Sequence, residues 1–123
     1  MINPKRFIKS FEYATTGIHY ALKNDQNLII HLIIATLVIA ASIMFRVTPL
    51  ETGILGLTIL IVITTEMVNT ALEKMVDLIT KEHRMEAMIA KDVASGMVLI
   101  AALGSVIIGL IIFVPHILNL IKQ

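Results

Sequence analysis

The chain has 123 residues, 57% hydrophobic and 15% charged, with no cysteine and a net charge of +1. A soluble domain carries about 25% charged residues, so this composition, with a mean hydropathy of +0.88, excludes an ordinary water-soluble fold and points to the bilayer as solvent. The missing cysteine excludes disulfide staples, thiolate zinc sites and thiol catalysis, and the near-neutral balance offers no basic field for nucleic acid.

A chain of this length forms a single domain, 1–123. Its first element, over about 4–24, opens on Asn3-Pro4, a cap followed by a first-turn proline. A 100° wheel gathers Phe7, Phe11, Ala14, Ile18 and Ala21 on one stripe and Lys5, Lys9, Glu12, Thr16 and Lys23 opposite. Such a basic amphipathic helix lies in the headgroup plane. Its charged stretch is too long for the n-region of a signal peptide, and the apolar run after it is too long for an h-region.

Three spans follow, each reaching across roughly 30 Å of hydrocarbon, over about 28–47, 50–72 and 93–114. The first, "LIIHLIIATLVIAASIMF", is interrupted only by His31. Thr48, Pro49 and Glu51 then make a capping box with proline at the first helical position, hence a tight helix-to-helix turn. The second run, "TGILGLTILIVITT", reaches spanning length only by continuing through Glu66. The third, "VASGMVLIAALGSVIIGLIIFV", spans unaided and is closed by Pro115. The expected fold is therefore all-α and membrane-integral, with three transmembrane helices and an N-terminal amphipathic surface helix.

Lysine and arginine orient it. Lys5, Arg6, Lys9 and Lys23 precede the first span, and Lys74, Lys81, Arg84 and Lys91 lie between the second and third. Only Arg46 and Lys122 fall on the other side. That bias sets the N-terminus and the 74–91 segment in the cytoplasm.

The segment "EMVNTALEKMVD" holds the chemistry. With Glu66 as zero, Asn69 falls at about −60°, Glu73 at about −20° and Asp77 at about +20°, one narrow face. The stripe runs roughly 16 Å along the axis, starting inside the membrane and emerging on the cytoplasmic side. Asp77 alone would pass for a solvated helix end. Glu66 would not, because a carboxylate near the core costs up to about 3 kcal/mol and marks function by default. Acids and an amide, without cysteine or paired histidines, form a hard-oxygen site suited to Mg²⁺ with substrate phosphates. Glu66, the deepest, is the one a lipid hydroxyl meets and the best placed general base. Lys91-Asp92 before the last span and Arg6 on the surface helix supply the cationic side of a phosphoryl-transfer site, where positive groups neutralise developing charge. Lys91 alone would read as a snorkelling anchor. There is no GxxxxGK[ST] or GxGxxG motif, so a nucleotide here binds through metal and side chains.

"EMVNTALEKMVDLIT", followed by "AKDVASGMVLIAA" and preceded by "RFIKSFEYATTGIHYALKND", closely resembles the small prokaryotic membrane kinases of the diacylglycerol kinase and undecaprenol kinase family. The resemblance covers nearly the whole chain. It implies a homotrimer with active sites between subunits, working at the cytoplasmic face of the bacterial inner membrane. There it implies ATP- and Mg²⁺-dependent phosphorylation of a lipid hydroxyl, with diacylglycerol and undecaprenol both open as acceptors. Carried over, Glu66 is the general base, Asp25 and Glu73 hold metal, and Asn69 and Asp77 support them on the same face. Arg6, Tyr13, Asp25, Glu73, Glu82, Arg84, Lys91 and Asp92 serve ATP, and Arg6, Glu66 and Ser95 meet the lipid. Two positions depart from the family. Asn24-Asp25 stands where Asn-Glu is common, and Glu82-His83-Arg84 where Glu-Tyr-His is. Two other functions compete on the residues alone: a small cation- or proton-coupled transporter exchanging at Glu66, and a scaffold packed through Gly104, Ser105 and Gly109.

Overall fold

The computed structural model describes residues 3–122. Four helices account for nearly all of them: α1 (Pro4–Asn24), α2 (Gln26–Met44), α3 (Pro49–Ile79) and α4 (Met85–Ile121). No strand occurs among the described residues. α2, α3 and α4 are each long and apolar enough to cross a membrane.

The helix starts are capped where the sequence places caps. The Asn3 side-chain oxygen accepts from the backbone N–H of Lys5 at 3.1 Å and of Arg6 at 3.3 Å. At α3 the capping box closes in both directions, Glu51 N–H to Thr48 Oγ1 at 3.3 Å and Thr48 N–H to Glu51 Oε2 at 2.8 Å. Both caps satisfy amide groups that a helix start otherwise leaves unpaired.

Helix ends differ from expectation in two places. α2 stops at Met44, because Arg46 takes a left-handed conformation (φ 52°) and the Val47 and Arg46 N–H groups return to Ser42 and Ile43. This is a Schellman closure formed without glycine. Pro115, expected to close the last helix, lies inside α4, which continues to Ile121. Proline there forfeits one backbone bond, and contacts across the bundle hold the continuation. His116 Nε2 sits 3.0 Å from Glu51 Oε2, and the Phe45 and Phe113 rings meet edge-to-face at 6.1 Å.

α3 is the centre of the packing, mainly against α4 and then α2, while α1 joins chiefly through α2. Its buried side chains are Leu55, Thr58, Val62, Glu66 and Asn69, spaced by three, four, four and three, the seam of a helix in a left-handed bundle. α2 contributes Leu28, Ala35 and Ser42 at every seventh position, and α4 contributes Ala94, Val98 and Ile112. Hydroxyls in the spans return to their own helices, Thr58 to the Ile54 carbonyl at 2.8 Å and Ser105 to Ala102 at 2.7 Å, because hydrocarbon offers no other acceptor. The seam that begins with leucine therefore ends, three turns later, in a glutamate and an asparagine.

Candidate active site

Asp25 makes the corner between α1 and α2. Its backbone is extended (φ −113°, ψ 106°), and its N–H closes α1 on the Ala21 carbonyl at 2.9 Å. Its Oδ1 then opens α2 by accepting from the N–H groups of Asn27 at 2.9 Å and Leu28 at 3.1 Å. The second oxygen, Oδ2, accepts from the hydroxyl of Thr70 on α3. One residue thus ends a helix with its backbone N–H, starts the next with one carboxylate oxygen and ties the corner to a third helix with the other.

This corner faces the polar stripe of α3 across a cleft of about 140 Å³ lined by Asn24, Asp25, Asn27, Glu66, Asn69, Thr70, Glu73 and Lys74. Glu66 is 1% exposed and Asn69 6%. Asn69 Nδ2 donates to Glu73 Oε1 at 3.2 Å. Among the described residues, Glu66 Oε1 and Asn69 Oδ1 are buried and have no hydrogen-bond partner. A buried acceptor left unpaired costs about 1–3 kcal/mol, so the cleft is shaped for a visiting donor, such as an alcohol or a hydrated cation.

The stripe does not stay together as one site. Asp77, a turn beyond Glu73, is exposed and meets Lys91 of α4, Nζ to Oδ1 2.5 Å. Their hydrogen bond holds the Asp77 carboxyl below its ordinary range and lifts the Lys91 ammonium above its own. They line a second cleft of about 320 Å³ with Lys81, Glu82, His83 and Arg84 from the α3–α4 connection. Within it Arg84 Nε and Nη2 both donate to Glu82 Oε2, at 3.0 and 2.9 Å. The Glu73 carboxylate also acts on Lys91, so the two clefts are electrostatically continuous along α3.

Of the residues singled out from sequence, one cleft collects Asp25, Glu66, Asn69 and Glu73, and the other Asp77, Glu82, Arg84 and Lys91. Arg6 and Tyr13 are exposed on α1, Asp92 and Ser95 are exposed on α4, and none of the four lines either cleft of this chain. Thr70, Asn27 and Lys74 were not singled out. For Thr70 a signal existed, since it falls at about +40° on the wheel that selected its neighbours.

Among the described residues no three acidic or histidine side chains converge into a ready-made metal chelate. The donor chemistry nevertheless fits Mg²⁺, which takes one or two carboxylates and completes its octahedron with water and phosphate oxygens. Asp25 and Glu73 could supply those two carboxylates, beside an unpaired Asn69 oxygen. A separate apolar cavity of about 150 Å³ lies among α2, α3 and α4, bounded by His31, Ala35, Thr58, Val62, Ser105 and Gly109.

The family model of prokaryotic diacylglycerol kinase matches residues 12–113. A diacylglycerol kinase of Synechocystis sp. is 39% identical over 112 residues, which is 90% of this chain and 64% of that protein. The chain thus spans less than two thirds of that relative's length. An undecaprenol kinase of Bacillus subtilis is 39% identical over 110 residues, 89% of each chain. Both alignments are long enough to take in most of the chain, spans and polar clefts together.

Proposed function

Because the chain belongs to the prokaryotic diacylglycerol kinase family, we propose that it transfers the γ-phosphoryl group of ATP to the hydroxyl of a membrane lipid, either diacylglycerol or a polyprenol such as undecaprenol. The observation that carries this function is the buried Glu66 carboxylate, whose Oε1 has no partner and lies in a cleft with Asp25, Asn69 and Glu73. Glu66 accepts the proton as the lipid oxygen forms its bond to the γ-phosphorus. The bond from that phosphorus to the bridging oxygen of ADP breaks in the same displacement.

Asp25 and Glu73 would hold Mg²⁺ with the nucleotide. The cation supplies charge neutralisation to the transferred phosphoryl group. Lys91, a turn further out and already within the influence of Glu73, neutralises phosphate charge, with Arg84 and Glu82 shaping the outer cleft. Arg6, Tyr13, Asp92 and Ser95 stand outside both clefts of their own chain, which supports a role for them at a neighbouring subunit's site in a homotrimer. The bias of lysine and arginine puts both clefts and the N-terminus on the cytoplasmic side, where ATP is available. The lipid reaches Glu66 laterally, with the apolar cavity below His31 open to its hydrocarbon.

An ATP-consumption assay in detergent or bilayers tests this, offering diacylglycerol and undecaprenol in turn with and without Mg²⁺. Turnover with one of them, abolished by chelation, is expected. No turnover with any lipid alcohol would overturn the function.

A further inference from the structure

Thr58, Thr64 and Thr65 all spend their hydroxyl hydrogen on a carbonyl of α3 itself, four residues back, at 2.7–2.9 Å. Thr70 has the same option, the Glu66 carbonyl at 3.1 Å, but also reaches Asp25 Oδ2 on the α1–α2 corner. A hydroxyl has one hydrogen, so the two acceptors compete, and the charged carboxylate is the stronger of them. This hydrogen bond joins the Asp25 carboxylate at the corner to α3.

The electrostatics of the cleft oppose that arrangement. Asp25, Glu66 and Glu73 bring carboxyl groups to one small volume, and like charges so placed repel. Asp25 Oδ1 is committed to the first amides of α2, which fixes where the residue sits but leaves Oδ2 to turn away from α3. The Thr70 hydroxyl keeps it turned inward. A carboxylate oxygen accepts at two sites, so one remains for a cation after Thr70 has taken the other.

Resting on the kinase function proposed above, we propose that Thr70 is a positioning residue: by holding Asp25 Oδ2 against α3 it sets the separation of the Asp25 and Glu73 carboxylates and hence the affinity for the divalent cation with its nucleotide. It touches neither phosphate nor lipid itself.

The test measures binding rather than turnover. The full chain, reconstituted in bilayer discs, is titrated with Mn²⁺ and a non-hydrolysable ATP analogue by calorimetry, as wild type, Thr70→Ser, Thr70→Val, Asp25→Asn and Thr70→Val in the Asp25→Asn background. Thr70→Val is expected to weaken binding about tenfold, the scale of a lost hydrogen bond to a charged group. Thr70→Ser keeps the hydroxyl and should stay within about twofold of wild type. In the Asp25→Asn background, Thr70→Val should add little, since the carboxylate that Thr70 positions for the cation is already gone. Unchanged binding in Thr70→Val overturns the proposal, as does a Thr70→Ser protein as weak as Thr70→Val, which would make the methyl group the determinant. If Thr70→Val does not fold, the Asp25→Asn and Thr70→Ser proteins decide: the proposal requires Asp25→Asn to weaken binding and Thr70→Ser to preserve it. A wild type that binds the complex and shows these differences but phosphorylates no lipid upholds the tether and overturns the kinase function. A wild type that binds no complex overturns both.

Discussion

Glu66 and Glu73 lie two turns apart on α3, yet they face different demands. Glu66 is sealed into the bundle seam with one oxygen unpaired, and nothing on its own helix needs its charge. Glu66→Gln preserves volume and packing and removes only the proton acceptor, so phosphoryl transfer should fall by about 10²-fold or more while nucleotide binding is retained. Kinase turnover and nucleotide binding measured on one preparation check this, and full activity in Glu66→Gln would remove its role as base. Glu73→Gln keeps an oxygen for the Asn69 amide to donate to but halves the anionic ligation available with Asp25. It should shift the Mg²⁺ dependence of turnover to higher concentration, with a smaller effect on the rate at saturating Mg²⁺, as a titration of rate against Mg²⁺ would reveal. Glu66 was legible in the sequence because a charge inside an apolar run is anomalous. Thr70 was not, although it shares the face, because threonine is unremarkable in a span and its partner lies 45 residues earlier.

At the scale of elements, what could be read early was what is encoded locally. The caps of α1 and α3 are chemical signatures within four residues, and both form as expected. The passage of α4 through Pro115 was not readable, since it depends on contacts between helices such as Glu51 with His116, and the end of α2 was not, since its closure on a left-handed Arg46 has no glycine to announce it. The split of the polar stripe has the same origin: Asp77 shares the wheel face of Glu73, but α4 presents Lys91 to it. That pair ties the end of α3 to the start of α4 and gives a pH dependence with a definite sign. The folded carboxyl of Asp77 is held below its ordinary value, so its stabilisation is complete above about pH 5 and is lost as pH falls through the depressed value, below the ordinary 3.9 or so. Lys91 is raised, so its share is complete below about pH 9 and is lost only as pH rises through a value above the usual 10.4 or so. Asp77→Asn should therefore unfold at a lower temperature than wild type at pH 7, by a margin that shrinks as pH falls below the ordinary carboxylate value of about 3.9, a comparison that thermal unfolding in detergent makes directly. A constant difference across that range would show that the pair adds nothing through charge.

At the scale of the whole molecule, the membrane itself makes the fold legible: a backbone without water must close its hydrogen bonds inside each segment, which leaves helices for a chain of this length. Assembly has no such rule behind it. The outward faces of α2, α3 and α4 carry exposed Ile, Leu and Val throughout, and such faces read the same whether lipid or another subunit covers them. The site itself gives the clearer argument. Arg6 is exposed on a helix that meets the bundle chiefly through α2, far in sequence from the cleft of Glu66, and it lines neither cleft of its own chain. If Arg6 serves catalysis, it does so across a subunit boundary, with Glu66 supplied by one chain and Arg6 by its neighbour. Glu66→Gln and Arg6→Ala would then each be inactive alone but complementary when co-expressed. In a ring of randomly mixed subunits, a site drawing one residue from each of two chains is intact about one time in four, so the mixture should recover about a quarter of wild-type activity. Sites built within single chains would never combine both intact residues, and a mixture as inactive as its parents would assign Arg6 and Glu66 to the same subunit.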